Sequence, residues 1–353
     1  MMDRPETQPI AIRPTGYRPA GAPSIMAHHN ANRSLPAIGI VAGWGSFPVE
    51  VAQQLVHSGH PVCCIAIKGH ASRSLESICD HVLWSGVGKI GKHLRYFRRN
   101  GVRHVTMAGK LFKADLLYSG SIWLQHFPDL TCIRTFGPAL LGRNRDARDD
   151  SLLLAVTNTY IRSGIEICPA TDFAPELLVN HGLLSGKTPA ARLQNDIDAG
   201  WKVAKQMGGM DIGQTITIKD GTVIAVEAIE GTDACIERTG TLCRRGGWTL
   251  IKVSKPDQDM RFDVPTIGPQ TIEKVHAAGG TAIVIEAEKT IMVEREKTIA
   301  AANAAGITLI AIDDASQAAS QRSKQTANFV AGSIDAENNR VHPSDGLATR
   351  RSA

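Results

Sequence analysis

Apolar positions along the chain fall into short runs separated by glycine-rich turns, and their period switches between that of a strand and that of a helix. The run at 36–42 ends in Gly43-Trp44-Gly45-Ser46. Pro48 then takes a first-turn slot, and Val49, Ala52, Leu55 and Val56 repeat at helical spacing until Gly59. PVCCIAIKG follows as a second strand. This strand, turn, helix, strand order is the opening unit of a doubly wound α/β domain. The spacing predicts another helix over 89–100, with Ile90, Leu94 and Phe97 on one face, and a short strand at 104–108. Residues 115–148 show no clean period, with Pro, Gly and aromatics scattered through them. A helix is predicted at 149–163, capped by Asp149 or Asp150.

Pro189 opens a long amphipathic helix over 188–207, carrying Leu193, Ile197, Trp201, Val203 and Ala204. It reads as a linker between two domains. Beyond it, TITIKDGTVIAVEAI alternates about Asp220-Gly221, a strong hairpin signal. A short helix at 233–239 and strand 248–253 follow. Next come helix 269–278 (stopped by Gly279-Gly280), strand TAIVIEA, helix 295–305 and strand ITLIAID. The expected organisation is an extension at 1–35, a Rossmann-like doubly wound domain at 36–187 and a linker helix at 188–208. A catalytic mixed-sheet α/β domain at 209–313 and a tail at 314–353 complete it, both tails being expected to be disordered.

Composition adds bounds. The 353 residues allow two domains with cores. The net charge of +5 includes +2 from residues 1–35 and +1 from 314–353, so the body gives no argument for nucleic acid. Eight Lys or Arg and no acid lie between Lys89 and Lys113, either a solvated helix face or a rim for an anionic ligand or membrane surface. The seven cysteines show no zinc-type spacing and no disulfide framework, which fits a reducing compartment and buried free thiols at Cys63 and Cys64. No apolar run is long enough to span a membrane.

Candidate chemistry concentrates in KVSKPDQDMRFDVPTIG, residues 252–268, read with VEAIEGTD at 226–233. Together they hold Glu230, Asp233, Asp259 and Asp263 beside Lys252, Lys255 and Arg261. Pro265 and Gly268-Pro269 feed this stretch into a helix start, where free amides meet anions and Arg261 can fork onto phosphate. Carboxylates of this kind suit magnesium or manganese held with a substrate phosphate. Surface charge pairing is the alternative. The Gly43–Ser46 turn offers either a phosphate contact or a tight structural turn. A nicotinamide cofactor is disfavoured, because Pro48 stands at the third glycine position and Lys68-Gly69-His70 replaces the ribose acid. Asp149-Asp150 read as helix caps.

These segments resemble a known family, the bacterial UDP-2,3-diacylglucosamine diphosphatases of the LpxI type, from the lipid A pathway. The resemblance runs through IGIVAGWGSFP, VTMAGK, RDDSLLLAV, LQNDIDAGWKVAKQMGGMDIGQ, GTVIAVEAIEGTDA and KVSKPDQDMRFDVPTIG, spanning about 38–313. It implies two α/β domains with the lipid nucleotide between them. It also implies metal-supported hydrolysis by water attack on the α-phosphorus, releasing UMP and 2,3-diacylglucosamine 1-phosphate. An acid essential to the family's activity falls on Asp263. To this the chemistry of the residues adds Arg261, Lys255 and Asp233 as catalytic, and Asp263, Asp233, Glu230 and Asp259 as ligands of Mg2+. Gly43, Trp44, Gly45, Ser46, Lys110, Thr232, Thr266 and Gly268 are assigned to the substrate. A cytoplasmic protein, peripheral to the inner membrane and binding a lipid nucleotide but no nucleic acid, is expected; a homodimer is left open. Trp44 within the glycine turn and Arg148 before the acidic pair depart from the family pattern. A nucleotide-sugar diphosphatase of soluble substrates, or a non-catalytic nucleotide-binding protein, are the alternatives.

Overall fold

Two sheets organise the chain, and the computed structural model describes residues 35–110, 127–141, 149–256, 258–262 and 264–319. Most of both expected tails, 1–34 and 320–353, lies outside them, whereas residues 314–319 continue as a helical turn. The first sheet is built from β1 (Ile38–Ala42), β2 (Val62–Ile67), β3 (His81–Ser85), β4 (His104–Ala108) and β5 (Glu166–Ile167), in the order β3-β2-β1-β4-β5 with every pair parallel. Alternate side chains leave opposite faces. Ile38, Ile40 and Ala42 pack with Val51 and Leu55 of α1 (Phe47–His57) and Leu75 of α2 (Leu75–Ile78). Ile65 and Ile67 pack on the other face with Leu94 and Phe97 of α3 (Ile90–Arg99) and Tyr160 of α5 (Asp149–Arg162). Helices on both faces make the doubly wound layer that the opening pattern predicts.

Besides the short α2 and β5, two longer elements of this half escape the sequence reading. Helix α4 (Leu130–Leu141) forms within the stretch lacking a period, because Gly137-Pro138 interrupts its apolar spacing. Strand β3 is an edge strand whose Val82, Leu83 and Trp84 are only half-buried, so its alternation is weak.

The second sheet contains β6 (Gly182–Ser185), β7 (Thr215–Lys219), β8 (Thr222–Val226), β9 (Trp248–Lys252), β11 (Gly280–Glu286) and β13 (Thr308–Ile312). Its order is β6-β13-β11-β9-β7-β8, parallel in the centre and antiparallel at both sides, a mixed sheet as expected. Asp220 and Gly221 both take positive φ, of 52° and 74°, closing the β7–β8 hairpin with the twist such turns need. One face is covered by α6 (Ala191–Gly209), whose Ile197, Trp201 and Ala204 meet Ile216, Ile218 and Ile251. The other is covered by α7 (Gly231–Leu242), α8 (Pro269–Ala277) and α9 (Arg295–Ala304).

The linker reading of the long helix needs correction. β6 precedes it and already pairs with β13, so the chain enters the second sheet at Gly182, and α6 is one of that sheet's covering layers. A small parallel pair, β10 (Thr266–Ile267) with β12 (Ile291–Met292), lies between the halves. Ile291 is buried in the core shared by β1 and α1, which fastens the second half to the first. All seven cysteines are free, and Cys63 and Cys64 are buried.

Candidate active site

In a doubly wound sheet, ligands bind beyond the carboxyl ends of the strands where the winding reverses, here between β1 and β4. The turns leaving these strands are zipped together. Gly43 N–H donates to the Ala108 carbonyl at 2.8 Å, Trp44 N–H to Lys110 at 2.8 Å, and Lys110 N–H to Trp44 at 3.0 Å. This close approach explains two glycines. A Cβ on Gly43 would lie 2.7 Å from the Lys110 carbonyl oxygen, and one on Gly109 (φ +90°) 2.7 Å from that of Trp44. It also corrects an expectation: the Gly43 and Trp44 amides are spent on the chain itself and do not form a phosphate cradle. Gly45, with φ of +108°, and Ser46 lead into α1, and the Trp44 side chain is 39% exposed beside them.

The loop between β9 and α8 lies against this end of the first sheet. Phe262 packs on the cluster holding Tyr160 and Ile167, and Val264 on the cluster holding Ala42 and Ala108, so the loop touches both layers of the first domain. Arg261 stacks on Phe262, its guanidinium 5.2 Å from the ring centroid. Burial pushes the neighbouring Cys168 thiol up to about 11, with Arg261 pulling the other way. The loop is anchored at its start. Ser254 N–H donates to buried Glu286 at 2.8 Å, and Gln258 Oε1 accepts the Lys255 N–H and the Ser254 hydroxyl at 2.8 and 2.9 Å. At its far end the Pro265 carbonyl accepts Ile291 N–H, the Thr266 hydroxyl donates to the Val264 carbonyl, and Gly268 caps α8.

The nominated acids do not converge. Glu230 accepts one hydrogen bond from Arg238, Asp233 pairs with Lys274 at 2.7 Å, and Asp259 pairs with Arg261 at 2.5 Å. Burial works to raise the Asp259 carboxyl, but the Arg261 side chain and backbone N–H outweigh it and hold the group below its ordinary range. Lys255 reaches Asp211 at 2.6 Å. Among the described residues no three His, Cys, Asp or Glu side chains gather to hold a metal ion. Asp263 lies outside the described residues, so the set that can be placed is three acids, each bound to a different cation. Such a set does not fit magnesium, which needs carboxylate oxygens turned to one point.

The structure gathers Lys252 and Thr232, both singled out in the sequence, with an acid that was not. Lys252, at the end of β9, donates to the Thr232 hydroxyl oxygen at 2.8 Å, and Thr232 donates to Glu227 Oε1 at 2.8 Å. Glu227 and Glu286 stood in apolar runs, VEAIEG and AIVIEA, and an acid inside a strand-like run was the available signal.

Comparison with known proteins now separates the readings. Residues 37–177 match the family model of the LpxI N-terminal domain, and residues 180–310 that of the LpxI C-terminal domain. A relative from Caulobacter vibrioides, UDP-2,3-diacylglucosamine pyrophosphatase LpxI, is 33% identical over 283 residues, covering 78% of this chain and 97% of the relative. The chain belongs to the LpxI family. The boundary between the family's two domains, at 177–180, agrees with the entry of the chain into the second sheet at Gly182. The name of the LpxI relative states cleavage of a diphosphate and specifies neither a metal nor the phosphorus attacked. Together with the scattered acids, this withdraws the metal-dependent, α-phosphorus-directed hydrolysis expected from the resemblance.

Proposed function

We propose that this protein cleaves the diphosphate of UDP-2,3-diacylglucosamine, the activity named for its Caulobacter relative. The observation that carries the proposal is 33% identity extending over 97% of that relative. The geometry supports it. The diphosphate would lie in the crevice at the ends of β1 and β4, with the Gly45-Ser46 turn, Trp44 and Lys110 on one side and the 253–268 loop on the other. Cleavage develops negative charge on phosphate oxygens, and Arg261 and Lys255 on that loop would neutralise it. A guanidinium suits this task because its planar fork meets two oxygens at once. The loop's contact with both layers of the first domain would shut water out of the crevice, strengthening those interactions. Asp263 enters the proposal on the family motif alone; Asp263→Ala should abolish turnover while leaving substrate binding.

The test is release of UMP by the purified full chain from UDP-2,3-diacylglucosamine, beside UDP-N-acetylglucosamine, with and without EDTA. Release from the acylated substrate is expected. Release from neither removes the proposal, and equal release from both removes the acylated substrate from it.

An acylated substrate brings the protein to a lipid surface. Among the described residues no helix is long and apolar enough to cross a membrane. Helix α3 instead buries Ile90, Leu94 and Phe97 and turns Lys92, Arg95, Arg98 and Arg99 to solvent. A cationic face of this kind attracts anionic headgroups. Replacing these four by Gln should abolish flotation with vesicles containing phosphatidylglycerol; undiminished flotation would remove α3 from membrane contact.

A further inference from the structure

One buried acid of the candidate site has no role in the cleavage proposed above. Glu227, just after β8, is 7% exposed, and its Oε2 has no hydrogen-bond partner. Its Oε1 accepts the Thr232 hydroxyl at 2.8 Å, and the same hydroxyl oxygen accepts Lys252 Nζ at 2.8 Å. Lys252 is 5% exposed, and its ammonium also lies 3.5 Å from Thr215 Oγ1.

Folding alone gives little reason for this arrangement. A carboxylate and an ammonium withdrawn from water and joined through a hydroxyl are costly, and an apolar set of similar volume would serve the core as well or better. An unpaired carboxylate oxygen adds to the cost. The location supplies a reason. Thr232 belongs to the first turn of α7, and Lys252 closes β9 where the 253–268 loop departs. An ammonium held at the root of that loop can meet an oxyanion bound against it. The orientation of the hydroxyl follows from its partners: with its hydrogen held by Glu227, Thr232 can only accept from Lys252.

We propose that Glu227 and Thr232 are positioning residues, fixing the Lys252 ammonium at the root of the 253–268 loop so that it receives an oxyanion of the substrate's diphosphate. The inference rests on the proposed function for its substrate, but binding of a nucleoside diphosphate tests it separately.

The experiment compares full-length wild type with Thr232→Val, Thr232→Ser and Glu227→Gln. Its readouts are kcat and KM on UDP-2,3-diacylglucosamine, the Kd for UDP by calorimetry, and Tm. Thr232→Val should lower kcat about 100-fold, the size of losing one oriented donor. It should weaken UDP roughly tenfold, leave Tm within about 4 °C, and change KM less than kcat. Thr232→Ser, which returns the hydroxyl, should recover most of both losses, and Glu227→Gln should fall between. Wild-type kcat and UDP affinity in Thr232→Val would overturn the proposal. So would a loss that Thr232→Ser does not recover, because the missing methyl would then be its cause. Should Thr232→Val fail to fold, the near-isosteric Glu227→Gln decides by the same readouts. Wild type that binds UDP without releasing UMP defeats the proposed function and leaves this inference to the UDP affinities. Wild type that does not bind UDP defeats both.

Discussion

Glu50, in the first turn of α1, accepts the backbone N–H of Glu294 through both carboxylate oxygens, at 3.1 and 3.2 Å. The contact ties the helix that follows the β1 turn to the start of α9 in the other half of the molecule. Burial raises the Glu50 carboxyl above its ordinary range, although the Glu294 N–H and the Ser46 hydroxyl favour its charged form. A carboxyl raised in the folded state binds its proton more tightly there than in the unfolded chain. Its contribution to stability is therefore full below the unfolded pKa, and is lost as pH rises through the folded one. Glu50→Gln keeps an acceptor for Glu294 and removes the titration. Urea denaturation in steps from about pH 4 to pH 7 should show the variant gaining on wild type as pH rises. A difference that moves the other way would contradict the assignment.

A second prediction concerns Glu286, 2% exposed at the end of β11. It takes Lys205 at 2.8 Å, Lys289 at 2.9 Å and the Ser254 N–H at 2.8 Å, so it holds the start of the 253–268 loop to the sheet. Glu286→Ala leaves the buried Ser254 amide without its acceptor, while Lys205 keeps Asp314 at 3.3 Å. The expected cost is about 1–3 kcal/mol in urea unfolding. Glu286→Gln, which retains an acceptor, should lose less. Equal losses from both would mean that packing, and not the charge, fixes the loop.

Periodicity and turn chemistry made the two-sheet plan legible, because β1, β2, β9, β11 and β13 are apolar runs with glycine at or near one end. Helix α4 and edge strand β3 were not legible, the first for its Gly137-Pro138, the second for its exposure. The site was legible only in part. The loop at 252–268 does meet the first domain, through Phe262 and Val264. Glu230, Asp233 and Asp259 look like a set only along the chain. In space each answers to a cation, Arg238 one face along its own helix and Lys274 on the next helix, and sequence proximity carries no information about where a carboxylate turns. Glu227 was passed over because only burial distinguishes it from its exposed neighbour Glu230.

That pairing yields a third prediction. If Glu230 and Asp233 serve Arg238 and Lys274, Glu230→Gln and Asp233→Asn lose only exposed ion pairs, which solvent screens and which contribute little. Turnover of UDP-2,3-diacylglucosamine should stay within roughly fivefold of wild type in both, a change equivalent to about 1 kcal/mol. A loss of 100-fold or more in either would return that carboxylate to the chemistry.

Arg261 carries the last prediction. Its guanidinium makes two separate contacts that a lysine cannot copy, the fork on Asp259 and the stack on the Phe262 ring. If it served only as the partner of Asp259, Asp259→Ala and Arg261→Ala would have equal and small effects, since both side chains are at the surface of the loop. As the group that meets the diphosphate, it should behave asymmetrically. Arg261→Lys keeps the charge and loses the fork, so kcat/KM should fall roughly 10- to 100-fold, corresponding to one charge-assisted hydrogen bond of about 1.5–3 kcal/mol. Asp259→Ala removes the fork while leaving the guanidinium stacked on Phe262, and should cost less than Arg261→Lys. Steady-state kinetics of the two variants decide the point: a larger loss from Asp259→Ala would make the acid, and not the arginine, the group on which turnover depends.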